Sequence, residues 1–139
     1  MSYSKESKNA NYPNELENKN TLPSGEYVLA DPAYVLSEED YEEVTYQAHD
    51  EGRLGKIIQF NGFDLIIMNA PYGDGAFHTS NGGIVCVDSG MIAAIPFDMC
   101  LTDNSLLGAV LFDAEEEFEC VEIDDVLHFG DIKVQRDEF

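Results

Sequence analysis

Past Gly55 the apolar residues stop recurring at helical spacing and come in short runs closed by Gly, Asn and Asp. Residues 56–60 and 63–68 flank Asn61-Gly62. Asn-Gly between two apolar runs is the strongest short-range hairpin signal, because a type I′ turn needs positive φ at both positions. Ile84–Val87 and Met91–Pro96 read as a second strand pair joined through Asp88-Ser89-Gly90. Residues 108–112 form a further strand, residues 113–116 its turn, and Phe118–Ile123 the next strand. Alternation in that last run is imperfect: Phe118 and Cys120 share one parity, Val121 and Ile123 the other. A β-bulge near Cys120 would reconcile them. Val126–Phe129 and residues 132–135 finish the pattern as a short hairpin across Gly130-Asp131. Links this short favour antiparallel pairing.

Ahead of these strands, GEYVLA (Gly25–Ala30) reads as a first strand, and Asp31-Pro32 as the turn after it. Ser37 opens the best helical segment, SEEDYEEVTYQAHD. Ser37 can cap it, the first turn is acidic, and Tyr41, Val44 and Ala48 make an apolar stripe at helical spacing. Gly52 is the expected terminator. Residues 1–22 are rich in Asn, Ser, Lys and Glu; Lys5, Lys8 and Lys19 balance Glu6, Glu15 and Glu17. This stretch reads as a flexible N-terminal tail, and residues 23–139 as a single acidic domain. One helix and seven or eight short strands predict an α+β fold. Its core is a mainly antiparallel curved sheet or partly open β-barrel, with one amphipathic helix packed against it. No internal repeat is visible.

The charge is one-sided. The chain of 139 residues carries 28 Asp and Glu against 7 Lys and Arg, a net charge of -21. Residues 57–132 contain no Lys or Arg at all. A small domain is usually soluble with a net charge of roughly 2–8 in magnitude, and self-repulsion beyond that lowers stability. Such a surface favours a basic partner. It disfavours direct binding of nucleic acid and of anionic membranes, both of which need Lys and Arg. No apolar run approaches the ~20 residues of a membrane helix. The first residues lack the apolar stretch of a signal peptide, so the expectation is a cytoplasmic protein. Cys86, Cys100 and Cys120 are odd in number, far apart and in apolar surroundings, and read as reduced core residues.

Three segments could carry chemistry. PYGDGAFH places Asp74 between two glycines and His78 four residues on, and an Asp-His pair can move protons or hold a metal. A single Asp is too few for a calcium loop, and a tight surface turn explains the glycines equally well. In VDSG, Asp88 and Ser89 lack the G-x-S-x-G elbow of a serine nucleophile and fit ordinary turn chemistry. His49, His78 and His128 form no H-x-x-x-H or H-E-x-x-H pair. Phosphate-binding glycine motifs are absent. No cofactor or metal is expected.

The acidic clusters remain. One lies on the helix: Glu38, Glu39, Glu42 and Glu43. The other runs through Glu115, Glu116, Glu117, Glu119, Glu122 and Asp124. Glu117 and Glu119 share a strand face at roughly 6–7 Å, close to the ~7 Å phosphate spacing along one DNA strand.

GEYVLADPAYVL (residues 25–36), YGDGAF (residues 72–77) and VDSGMIAAIP (residues 87–96) resemble, in order, segments of a loose set of small bacterial and phage proteins. The resemblance brings no activity with it. It implies that Asp31, Pro32, Tyr34, Gly73, Asp74, Gly75, Asp88 and Gly90 define the fold or one shared site. The composition separately resembles that of phage-encoded inhibitors that mimic DNA.

The leading expectation is therefore a non-enzymatic acidic inhibitor that occupies the basic groove of a nucleic-acid-binding partner, such as a host-defence nuclease. An immunity protein for a basic toxin would need the same acidic face. A small hydrolase or ligand-binding protein would instead use Asp74, His78 and Asp88 around a pocket. A homodimer is left open.

Overall fold

A computed structural model describes residues 20–101 and 108–136. Among them, eleven strands form two antiparallel sheets with two helices on one outer face. The five-stranded sheet has the order β3 (Ile57–Phe60), β4 (Phe63–Asn69), β7 (Met91–Pro96), β2 (Gly25–Ala30), β8 (Val110–Ala114). The six-stranded sheet has the order β1 (Thr21–Leu22), β9 (Phe118–Ile123), β10 (Val126–Phe129), β11 (Ile132–Arg136), β5 (Gly75–Thr79), β6 (Ile84–Val87). Neither sheet closes on itself. The fold is α+β, as the sequence predicts, with its strands divided between two layers.

Two cores hold the layers together. Tyr27, Leu29, Ile92 and Ala94 point from β2 and β7 into a core shared with Phe77, Leu127, Phe129 and Val134 of the second sheet. Val28, Ala30, Ala93 and Ile95, from the same two strands, point the other way against Val35, Val44 and Ala48 of the helices. A strand buried on both faces needs a near-continuous apolar run, which is why MIAAI shows no alternation.

The helices are α1 (Pro32–Val35) and α2 (Glu38–His49). Where a simple turn was expected after Asp31, the chain makes one helical turn. The Asp31 carboxylate accepts from the Ala33 N–H at 2.9 Å, and Pro32 takes the first helical position. In α2 the Ser37 hydroxyl accepts from the Asp40 N–H at 3.1 Å, and Glu38, Glu39 and Asp40 occupy the first turn. Val44 and Ala48 are buried and Tyr41 packs beside them, as the helical spacing requires.

Four expectations are corrected. Ile84–Val87 and Met91–Pro96 do not pair with each other: β6 pairs with β5, β7 pairs with β4 and β2, and Asp88-Ser89-Gly90 carries the chain from one sheet to the other. Gly75–Thr79 is a strand, although Gly75 reads as part of a surface turn. No bulge is needed at Cys120, because the β9–β10 register is regular through Cys120↔Phe129 and Ile123↔Val126. Phe118 and Cys120 face the core, while Val121 and Ile123 occupy the outer face. Cys86 is exposed on edge strand β6; only Cys100 and Cys120 are buried, and burial pushes both thiols up to about 12.

The boundary at residue 22 also moves. Thr21 and Leu22 pair with Glu119 and Phe118, and Leu22 is fully buried. Burying a leucine stabilises by about 1.5–3 kcal/mol, enough to hold a two-residue strand. Residues 1–19 of the expected tail lie outside the described residues. The Asn61-Gly62 hairpin forms as expected, with φ of 51° and 83°.

Candidate functional site

In the five-stranded sheet, β2 and β4 start, and β7 and β8 end, on the same side of the molecule. Antiparallel pairing thereby gathers residues that are distant in the sequence. Glu26 is the second residue of β2, Asp64 the second of β4, Asp98 lies just past β7, and Asp113 is the last but one of β8. Glu115, Glu116 and Glu117 cap the β8–β9 connection, and Asp131 lies in the β10–β11 turn beside it. All are exposed except Asp64, which is half-buried. Glu26 stands directly opposite Asp113 in the β2–β8 ladder. Like charges in that position destabilise a sheet.

Two depressions open on this rim. One, of about 330 Å³, is bordered by Glu26, Asp64 and Asp98. The other, of about 520 Å³, has Asp113, Glu115, Glu116, Glu117 and Asp131 around Phe112, Phe118 and Ile132. Among the described residues, neither is lined by a Lys, Arg or His. Tyr27 lies between them. Its ring stacks on Phe112 at 5.7 Å and meets Phe118 edge-on at 5.2 Å. Phe112 and Phe118 meet at 5.4 Å. The Tyr27 hydroxyl donates to the Pro23 carbonyl at 2.7 Å. Burial, then the neighbouring Asp64 carboxylate, push its phenol up to about 12. Gly130 lets the two connections approach: a Cβ there would lie 3.0 Å from the Phe118 Cβ, and its φ is +63°.

Of the residues singled out from the sequence, Glu115, Glu116, Glu117 and Glu119 are exposed at this end. Glu122 and Asp124 are exposed too, but at the far end of β9. Glu38, Glu39, Glu42 and Glu43 are exposed on α2, which packs near β3. β3 and β8 are opposite edges of the sheet. Four strand spacings, about 19 Å, separate the edge strand beside the helix from the edge strand that leads into the hairpin. Glu26, Asp64 and Asp98 escaped sequence reading because each is a lone acid in its own segment; only the strand order groups them.

The opposite end of the sandwich collects the segments that carry the resemblance. Asp31 is fully buried. Besides Ala33, its carboxylate accepts from the backbone N–H groups of Asp88 and Ser89, both at 2.7 Å, and from the Ser89 hydroxyl at 2.8 Å. The Tyr34 hydroxyl donates to the Asp88 carboxylate. That bond, with lesser help from burial and nearby charge, pushes the Tyr34 phenol up to about 12. Gly75 pairs with Val87, which brings the GDG loop alongside. Arg136 closes the loop: its guanidinium donates to the carbonyls of Tyr72 and Asp74 at 3.2 and 2.7 Å and sits 5.7 Å from the Phe77 ring centre. A Cβ on Gly75 would strike that guanidinium at 2.7 Å. The Tyr72 hydroxyl donates to Asp125 at 2.7 Å.

Asp74 and Asp88 thus flank the paired ends of adjacent strands β5 and β6, but His78 lies four residues on from Asp74, opposite Ile84. That is about 13 Å of strand. The three side chains envisaged around one pocket are not brought within hydrogen-bonding reach. Ser89 is held by Asp31, an arrangement that fixes a turn rather than frees a nucleophile. Among the described residues no group of three or more His, Cys, Asp or Glu could hold a metal ion, and no helix is long and apolar enough to cross a membrane.

No family model, no curated protein and no solved structure matches the chain.

Proposed function

We propose that the chain is a non-enzymatic inhibitor whose carboxylate rim takes the place of nucleic-acid phosphates and blocks a basic nucleic-acid-binding partner. One observation carries this reading. Acids from separate segments converge around two grooves that no cation lines among the described residues, and the fold tolerates Glu26 directly opposite Asp113 to keep them there. An arrangement that weakens the sheet without a local gain fits a surface kept for binding.

A carboxylate, like a phosphate, offers several acceptor lone pairs, and Arg can engage either through two parallel hydrogen bonds. Long-range attraction speeds encounter and is screened by salt. The helix patch adds a second acidic surface beside the opposite edge of the sheet, so a partner touching both must present a wide basic surface. The composition's resemblance to phage-encoded DNA mimics agrees with this reading.

Charge reversal tests it. Glu115→Lys, Glu116→Lys and Glu117→Lys together should weaken capture of a basic partner from lysate far more than they alter folding. Equal capture by the folded triple variant would sink the proposal.

A further inference from the structure

We infer that the groove over Phe112 and Phe118 receives an arginine side chain of the partner, its guanidinium laid on the rings and its N–H groups on the surrounding carboxylates. This inference rests on the inhibitor reading and specifies which contact anchors it.

Charge mimicry alone explains the rim but not the floor. Phe112, Phe118 and Ile132 lie half-buried at the open mouth of the inter-sheet core, and the acidic residues Glu115, Glu116, Glu117 and Asp131 border the same groove. Apolar floor and acidic wall together restrict the occupant. An apolar side chain would desolvate the carboxylates without pairing them, which is costly. An acidic one is repelled. Lysine pairs with carboxylates as a compact, strongly hydrated point charge, whereas arginine is flat, weakly hydrated and able to stack on an aromatic face while its edge hydrogen-bonds. Arginines that grip nucleic acid meet phosphates at their edges and bases at their faces. The groove offers carboxylates for the first and phenyl rings for the second. A volume of about 520 Å³ leaves room for the guanidinium and its methylene stem.

The test is a titration of the isotopically labelled full chain with oligo-arginine and oligo-lysine peptides of equal length, followed by NMR. Both should shift the amides of residues 113–117. Only oligo-arginine should shift the ring signals of Phe112 and Phe118, and it should bind about fivefold more tightly, the range expected for an exposed cation–π contact. Phe112→Leu keeps an apolar floor without that ring and should bring the oligo-arginine affinity down to that of oligo-lysine. Should Phe112→Leu fail to fold, the wild-type ring signals decide alone. Equal affinities with unmoved rings, or a preference that survives in a folded Phe112→Leu, would overturn the groove inference and leave the rim intact. Unmoved amides at residues 113–117 with either peptide would overturn the inhibitor reading as well.

Discussion

Where β2 ends, the carboxylates are occupied: Asp31 accepts four hydrogen bonds, Asp88 accepts one from Tyr34, and Asp125 accepts one from Tyr72. Arg136, a rare cation in this chain, bonds there to backbone carbonyls. Where β2 begins, Glu26, Asp64, Asp98, Asp113 and Glu115 to Glu117 surround two grooves that no cation lines among the described residues. The same side-chain type builds the fold at one end and is left available at the other. Net charge alone does not separate these roles; burial and hydrogen-bond partners do.

The largest expected effect is at the bonded end. Asp31→Ala would strip the acceptor from three backbone N–H groups and a hydroxyl, and each unsatisfied buried group costs about 1–3 kcal/mol. Urea unfolding should show a loss of about 3–5 kcal/mol. A loss below about 1 kcal/mol would mean that the Asp88-Ser89 crossover holds without this carboxylate.

Neutralising the other end should do the reverse. Glu115→Gln, Glu116→Gln and Glu117→Gln together should leave stability within about 0.5 kcal/mol, as for ordinary surface substitutions, or raise it by relieving repulsion. Salt should mimic this: the melting temperature should climb as the screening length falls from roughly 30 Å at 0.01 M to roughly 8 Å at 0.15 M. A melting temperature insensitive to salt would remove the evidence that the rim is strained.

The smallest effect is alkaline. The phenols of Tyr27 and Tyr34 lie at about 12 rather than 10. For a group raised on folding, the stability it contributes is fully present below the unfolded value and lost as pH rises through the folded one. Stability should hold to about pH 10 and fall towards pH 12. Tyr34→Phe should remove one late step from the tyrosine absorbance titration, and a titration unchanged in that variant would place the Tyr34–Asp88 bond in doubt.

Local signals were legible in the sequence. Asn61-Gly62 needs positive φ and makes its turn; Ser37 caps α2; Val44 and Ala48 bury at helical spacing. The acidic run at residues 115–119 is exposed as read. Pairing was not legible. Asp-Ser-Gly reads alike in a hairpin and in a crossover, and what distinguishes them is Asp31, 57 and 58 residues away from its partners. Gly75 looks like a loop residue, yet it begins β5, at a φ of +140° that favours glycine. Cys86 sits in the apolar run IVCV but on the solvent side of edge strand β6, between Ile84, which is 53% exposed, and Asp88. The two apolar parities of β9 likewise mark a sheet with one open face: Ile123 is 52% exposed. Part of the acidic rim was invisible for the same reason, since Glu26, Asp64 and Asp98 become neighbours only through strand order.

The central claim is that the acidic end occupies a nucleic-acid site. The most direct measurement is competition: a partner captured from lysate on the immobilised chain is challenged with duplex DNA at constant ionic strength, and its release is followed against DNA concentration. The account predicts release by DNA, and no capture by the folded variant carrying Lys at positions 115, 116 and 117. A partner that DNA cannot displace, or that the charge-reversed variant holds equally well, would contradict it.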